Sequence, residues 1–178
     1  MLTTTYALLQ KRDACEDRYA HLKKSLRERG HRGSIPLSLI LETNGLDDAL
    51  WALRAVPKAQ EKDRDKIARL FACECAEAVL PVFEAAYPDD KRPRQTIEVA
   101  RRFAHGDATC TDLAAAARAA WAAEGDAWIA RTAARAAEAA AWAAEDAAWV
   151  AEDAADGVAL ADQSAILMRL LAKAGEVE

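Results

Sequence analysis

The chain has 178 residues, with 24 Lys and Arg against 29 Asp and Glu, for a net charge of −5. Its 52% hydrophobic fraction is inflated by alanine, and with a mean hydropathy of −0.18 the chain is long enough for one helical domain with a real core. Arg, Glu or Asp interrupts every alanine tract, so no run of about 18 apolar residues is available to span a membrane, and MLTTTYALLQKRD lacks the basic-then-apolar order of a secretory signal.

Thr3 to Thr5 offer N-caps to a helix expected to run to Gly30, with Leu8, Cys15, Tyr19, Leu22 and Leu26 as its apolar stripe. Lys23, Lys24, Arg27 and Arg29 make another face basic, and GHRGS (Gly30 to Ser34) ends the helix. Pro36 opens a short helix, LSLILE, stopped by Asn44-Gly45. NGLDDALWALRAV follows, with Asp47 and Asp48 in the first turn, where the helix dipole favours them. Trp51 joins Leu46, Leu50 and Leu53 on its apolar side, and Pro57 ends it.

The charged entry KAQEKDRDK leads into a longer helix reaching Ala78 or Val79, and Ile67, Leu70, Phe71, Val79, Val82 and Phe83 keep helical period. Pro81 is expected to kink or split it, because proline removes one helical hydrogen bond and crowds the preceding turn. YPDDKRPRQ (Tyr87 to Gln95) reads as a turn-rich loop, from which Pro93 restarts a helix carrying Ile97, Val99, Ala100 and Phe103. Gly106 closes that helix, and Thr109 or Thr111 caps the alanine-rich region beyond.

In that region Trp121, Trp128, Trp142 and Trp149 stand 7, 14 and 7 residues apart, with Arg135 at the one heptad position they skip. Seven-residue spacing drifts by only about 20° per heptad on a helix, so the indoles form one stripe on a long alanine-rich helix. Gly125 is a candidate interruption with Asp126 as a fresh cap, and Gly157 marks the far end. A last helix, ADQSAILMRLLAKA, packs Ile166, Leu167, Leu170 and Leu171. No segment alternates with the period of two expected of a strand. The expected fold is all-α, a single domain over 1–178 with seven or eight helices in one bundle. Its parts are N-terminal helices over 1–57, a central part over 58–106 with the PDDKRPR loop, and alanine-rich helices over 109–178.

Catalytic signatures are missing from the sequence: there is no Gly-rich phosphate loop, no HExxH and no GxSxG. His21, His31 and His105 lie on separate segments without a second ligand at helical spacing, and His21 reads as an ion pair with Asp17. Cys73 and Cys75 in CEC suit neither a disulfide nor a zinc site, so with Cys15 and Cys110 they read as buried free thiols in a reducing cytosol. The expectation is therefore no metal, no cofactor and no catalysis, in a cytoplasmic protein. An enzymatic alternative would need a cleft that gathers Asp89, Arg92, Arg94 and His105.

Charge is unevenly spread. Residues 121–162 hold nine acids against Arg131 and Arg135, a local charge of −7, whereas residues 1–120 hold 20 basic and 18 acidic groups. Glu145 and Glu152, like Asp146 and Asp153, lie two helical turns apart, about 10.5 Å, too far to share one ion. With Glu138 they read either as a solvated face or as a surface for a basic protein partner. The tryptophan row reads either as core or as a seam for a homodimer or partner. Asp89, Asp90, Arg92 and Arg94 either lock their loop by ion pairs and capping or meet a partner. The basic cluster on the first helix is short and has no interleaved aromatics, so direct nucleic-acid binding is not expected.

The run FACECAEAVLPVFEAAYPDDKRPRQTIEVARRFAHGDAT resembles a family of immunity proteins found beside bacterial polymorphic toxins. The resemblance covers about residues 65–125 and is carried by Ala76, Glu77, Val79, Leu80, Pro81, Pro88, Asp89, Asp90, Arg92, Pro93, Arg94, Ile97, Glu98 and Gly106. It implies a non-enzymatic protein that binds and neutralises a toxin. The WAAEDAA heptads and NGLDDALWALRAV are in turn similar to small proteins carried by bacteriophages, which implies an alternative: a counter-defence inhibitor, anti-CRISPR-like, that uses an acidic helical face. A structural homo-oligomer is the third reading.

Overall fold

The computed structural model describes residues 1–121 and 160–175. Among these the protein is all-α, with eight α-helices: α1 (Tyr6–Lys11), α2 (Glu16–Glu28), α3 (Leu37–Asn44), α4 (Leu46–Ala52), α5 (Glu61–Ala86), α6 (Arg92–His105), α7 (Cys110–Trp121) and α8 (Leu160–Lys173). Two 3₁₀ turns, Leu53–Ala55 and Lys58–Gln60, connect α4 to α5. No helix of the described residues is long and apolar enough to cross a membrane.

Two elements depart from the sequence reading at the N-terminus. Thr3–Thr4 (β1) pairs antiparallel with Ile35–Pro36 (β2), so a two-stranded ribbon stands where no strand was expected. Its residues are too few to show an alternating pattern. The Thr4 hydroxyl is buried and donates to the Ala55 carbonyl at 2.6 Å, tying the ribbon to the turn after α4.

The expected single helix to Gly30 is also broken in two. Asp13 adopts φ +59°, and the Ala14 N–H reaches back to the Leu9 carbonyl at 3.1 Å, the pattern of a helix closed by a left-handed residue. Asp occupies the position that Gly usually fills, so the stop carried no Gly signal. The break reorients α1 so that Leu9 rather than Leu8 is buried, and it leaves Cys15 exposed outside the stripe of Leu22 and Leu26.

Proline does not split α5, which is helical from Glu61 to Ala86 with Pro81 inside it. The missing N–H frees the carbonyl of Glu77, four residues back, and both Glu77 and Pro81 are exposed, on a side of the helix open to solvent. At about 39 Å long, α5 borders two groups of buried side chains. Ile67, Ala68, Phe71 and Cys75 join Leu22, Leu26, Ile40, Leu50 and Leu167 in the first. Ala72, Cys73, Ala76 and Leu80 join Ile97, Ala100, Leu113 and Ala117 in the second. α8 packs on α5, α3 and α4, burying Leu167, Leu170 and Leu171, while α6 lies between α5 and α7. Small residues bring α6 and α7 together, and the buried Thr96 hydroxyl bridges the Arg92 and Ala116 carbonyls at 2.8 and 3.0 Å.

Candidate functional site

The PDDKRPR loop is built around a turn, Asp90 N–H to Tyr87 carbonyl at 3.2 Å, with Tyr87 packed on Phe83 at a centroid distance of 5.0 Å. Asp90 accepts the Arg92 backbone N–H at 3.0 Å and receives the Arg92 side chain through Nε at 2.9 Å and Nη2 at 2.7 Å. That guanidinium, followed by the backbone N–H, holds the Asp90 carboxyl below the usual range. Arg94 turns the other way and forks onto Glu84 of α5, Nε to Oε1 at 2.7 Å and Nη2 to Oε2 at 2.6 Å. One heptad further from the loop on each helix, Arg101 meets Glu77. The loop is therefore locked by ion pairs, and two charge pairs fix the register of the α5–α6 hairpin.

Asp89 and Lys91 remain exposed at the tip and border an open depression of about 530 Å³. Arg92 and His105 begin and end α6, so at about 1.5 Å per residue they are separated by roughly 20 Å. The cleft that would gather Asp89, Arg92, Arg94 and His105 is not formed. Glu84 was not singled out as the partner of Arg94, although the seven-residue spacing shared by Glu77/Glu84 and Arg94/Arg101 is the signal that announces it. Arg169 of α8 pairs with Glu74, a contact across 95 residues for which no local signal exists.

The CEC motif resolves through helix geometry. Residues two apart on a helix point roughly opposite ways, and Cys73 enters the second buried group while Cys75 enters the first. Burial pushes both thiols up to about 12. The reading of four buried thiols holds for these two, whereas Cys15 and Cys110 are exposed. His21 places Nε2 at 3.2 Å from the Thr43 carbonyl rather than beside Asp17. Among the described residues no group of His, Cys, Asp and Glu is arranged to hold a metal ion.

Sequence reasoning missed a cleft of about 440 Å³ between α2 and the α3–α4 corner. Leu9, Leu22, Ile40 and Ala52 are its buried residues, and Trp51, expected in the core, is only partly buried and lines it. At its rim Arg18 pairs with Asp48, whose other carboxylate oxygen accepts the Asn44 amide at 2.7 Å. Hydrogen bonding to Asp48 chiefly, with the field of Asp47 behind it, raises the Arg18 guanidinium further above its ordinary value.

Of the other expected contact residues, Trp121 ends α7. Trp128, Trp142, Trp149, Glu138, Glu145, Asp146, Glu152 and Asp153 lie outside the described residues.

One family model matches the chain: its description is Imm-5 like putative immunity protein, and the match runs over residues 57–173, about two thirds of the sequence. No curated protein and no solved structure matches.

Proposed function

The chain belongs to the Imm-5 like putative immunity protein family, and on that premise we propose that it binds a protein toxin and neutralises it without catalysing a reaction. The observation that carries this reading is the extent of the family match, which takes in the α5–α6 hairpin, its locked loop, α7 and α8. Two surfaces are offered to the partner. The first is the loop tip, where Asp89 and Lys91 are exposed on a frame held by Arg92 and Arg94. The second is the acidic sequence with Glu138, Glu145, Asp146, Glu152 and Asp153, whose charge suits a basic partner.

That local charge of −7 also supports a second reading, a phage-borne inhibitor that occupies the nucleic-acid-binding face of a defence effector, in the manner of an anti-CRISPR protein. One experiment separates the two. Tagged full-length protein is recovered from host cytosol, stoichiometric companions are identified by mass spectrometry, and each companion is expressed with and without this chain. The toxin reading expects a companion that arrests growth alone and is harmless beside this protein. A defence nuclease that is not toxic by itself would select the inhibitor reading, and recovery of this chain alone as a larger species would select a homo-oligomer seamed by Trp121, Trp128, Trp142 and Trp149.

A further inference from the structure

We propose that the cleft between α2 and α4 is a binding site for a small organic cation, an aromatic or apolar body carrying a protonated amine. The cleft is built from residues of the first 52, so it lies outside the stretch matched by the family model. Its volume of about 440 Å³ falls in the range of pockets that enclose small ligands, roughly 300–1,000 Å³. Its make-up is also that of such pockets, an apolar interior with a few polar groups converging at the mouth.

The chemistry of the occupant follows from what lines the cleft. Trp51 is the aromatic wall available to it, because Lys23 already sits over the Tyr19 ring at 5.8 Å and Tyr6 meets that ring edge-on at 5.8 Å. The mouth carries two carboxylates, Asp47 and Asp48, against one guanidinium, Arg18, and the Arg18–Asp48 pair is made within the protein itself. That leaves a net negative mouth with Asp47 exposed on it. An ammonium group placed there gains a carboxylate and the neighbouring indole of Trp51, whereas a carboxylate placed there meets like charge.

Cys15 lines the same cleft and is exposed, while Cys110 is exposed elsewhere, so the protein holds its own reporter and reference. Alkylation of the full chain by iodoacetamide is followed at both cysteines by peptide mass spectrometry, with phenethylamine, 3-phenylpropionate or neither present. Phenethylamine is expected to slow Cys15 several-fold, leave Cys110 unchanged and act at concentrations where 3-phenylpropionate has no effect. Asp47→Asn, an exposed change that spares the fold, is expected to raise the half-protecting amine concentration about two- to fivefold, the scale of one solvent-exposed charge pair. Trp51→Ala, checked for folding by its thermal transition, is expected to abolish protection. The proposal is overturned if phenethylamine gives no protection up to about 10 mM, a limit set by the weak binding of so few atoms. Equal slowing at Cys110, equal protection by 3-phenylpropionate, or an unchanged response in Asp47→Asn overturns it as well.

Discussion

Glu84 near the end of α5 and Arg94 in the first turn of α6 form a two-point fork, with N–O distances of 2.7 and 2.6 Å, across the loop that joins the helices. Hydrogen bonding to Arg94 holds the Glu84 carboxyl below its usual range. A depressed carboxyl pKa contributes stability that is complete above the unfolded value and is lost as pH falls through the folded one. Arg94→Ala is therefore expected to lower Tm by about 1–3 °C at pH 7, the scale of a partly exposed pair in a protein of this size. In Glu84→Gln the deficit should shrink steadily below about pH 4.5. Thermal melts of both variants and the parent between pH 7 and pH 3 measure this, and a deficit constant with pH would exclude the ion pair as its source.

The cap of α7 is a second local device with a separable effect. Thr109 Oγ1 accepts the Asp112 N–H at 3.2 Å, and Asp112 Oδ2 accepts the Thr109 N–H at 2.9 Å, a reciprocal box in which Asp stands where Glu is usual. Thr109→Ala is expected to cost about 1 kcal/mol of stability, as loss of an N-cap generally does, and Thr109→Ser to restore most of it. Urea unfolding of the three proteins reads the difference, which should appear in the midpoint and not in the slope.

What is legible from residues alone is the part of the fold with a local cause. Helices with a proper stop, such as α3 before Gly45 and α6 before Gly106, fall at their expected ends, because the stop is a local property of the chain. Asp13 in the left-handed region carried no such mark, and Thr3–Thr4 forms a strand only because Ile35–Pro36 lies beside it. The helix through Pro81 depended on exposure at Glu77, which tertiary packing decides. Of the candidate site, the ion-paired loop was visible as Asp and Arg around two prolines. The Arg18–Asp48 cleft was not, since residues 30 apart meet there only after α2 has packed against the α3–α4 corner.

Thiol chemistry tests the placement of CEC on opposite sides of α5. Cys73 and Cys75 are buried and pushed up to about 12, whereas Cys15 and Cys110 are exposed. At pH 8 iodoacetamide should modify Cys15 and Cys110 readily, with Cys73 and Cys75 following only at the rate of unfolding. Fast labelling of either CEC thiol in the folded protein would contradict the packing of α5. Labelling in denaturant should reach all four.

Phe71 and Leu113 test whether the two groups of buried side chains unfold together. Phe71 is fully buried in the first and Leu113 in the second, and α5 lines both. Phe71→Ala is expected to cost about 3–5 kcal/mol and Leu113→Ala about 2–5 kcal/mol. Because a single helix supplies Cys73 to one group and Cys75 to the other, both losses should shift one shared transition, followed by far-UV circular dichroism and by near-UV signal. Two separated transitions in Leu113→Ala would instead mark α6 and α7 as an independent unit.

The partner surface can be assigned by salt. Contacts made by the acidic sequence are those of many like charges, so their contribution should fall steeply as ionic strength rises. A framed loop tip presents few charges, so binding there should respond weakly. Against the partner recovered from cytosol, the variant with Glu138, Glu145, Asp146, Glu152 and Asp153 changed to Gln or Asn should fold normally, bind at least tenfold more weakly at low salt, and lose most of its salt dependence, a change of about 1.4 kcal/mol or more. Asp89→Ala with Lys91→Ala leaves the Asp90–Arg92 and Glu84–Arg94 pairs intact, so any affinity it loses belongs to the tip itself. Unchanged binding in the five-site variant would remove the acidic surface from the interface, and a loss confined to the tip variant would place the partner on the loop.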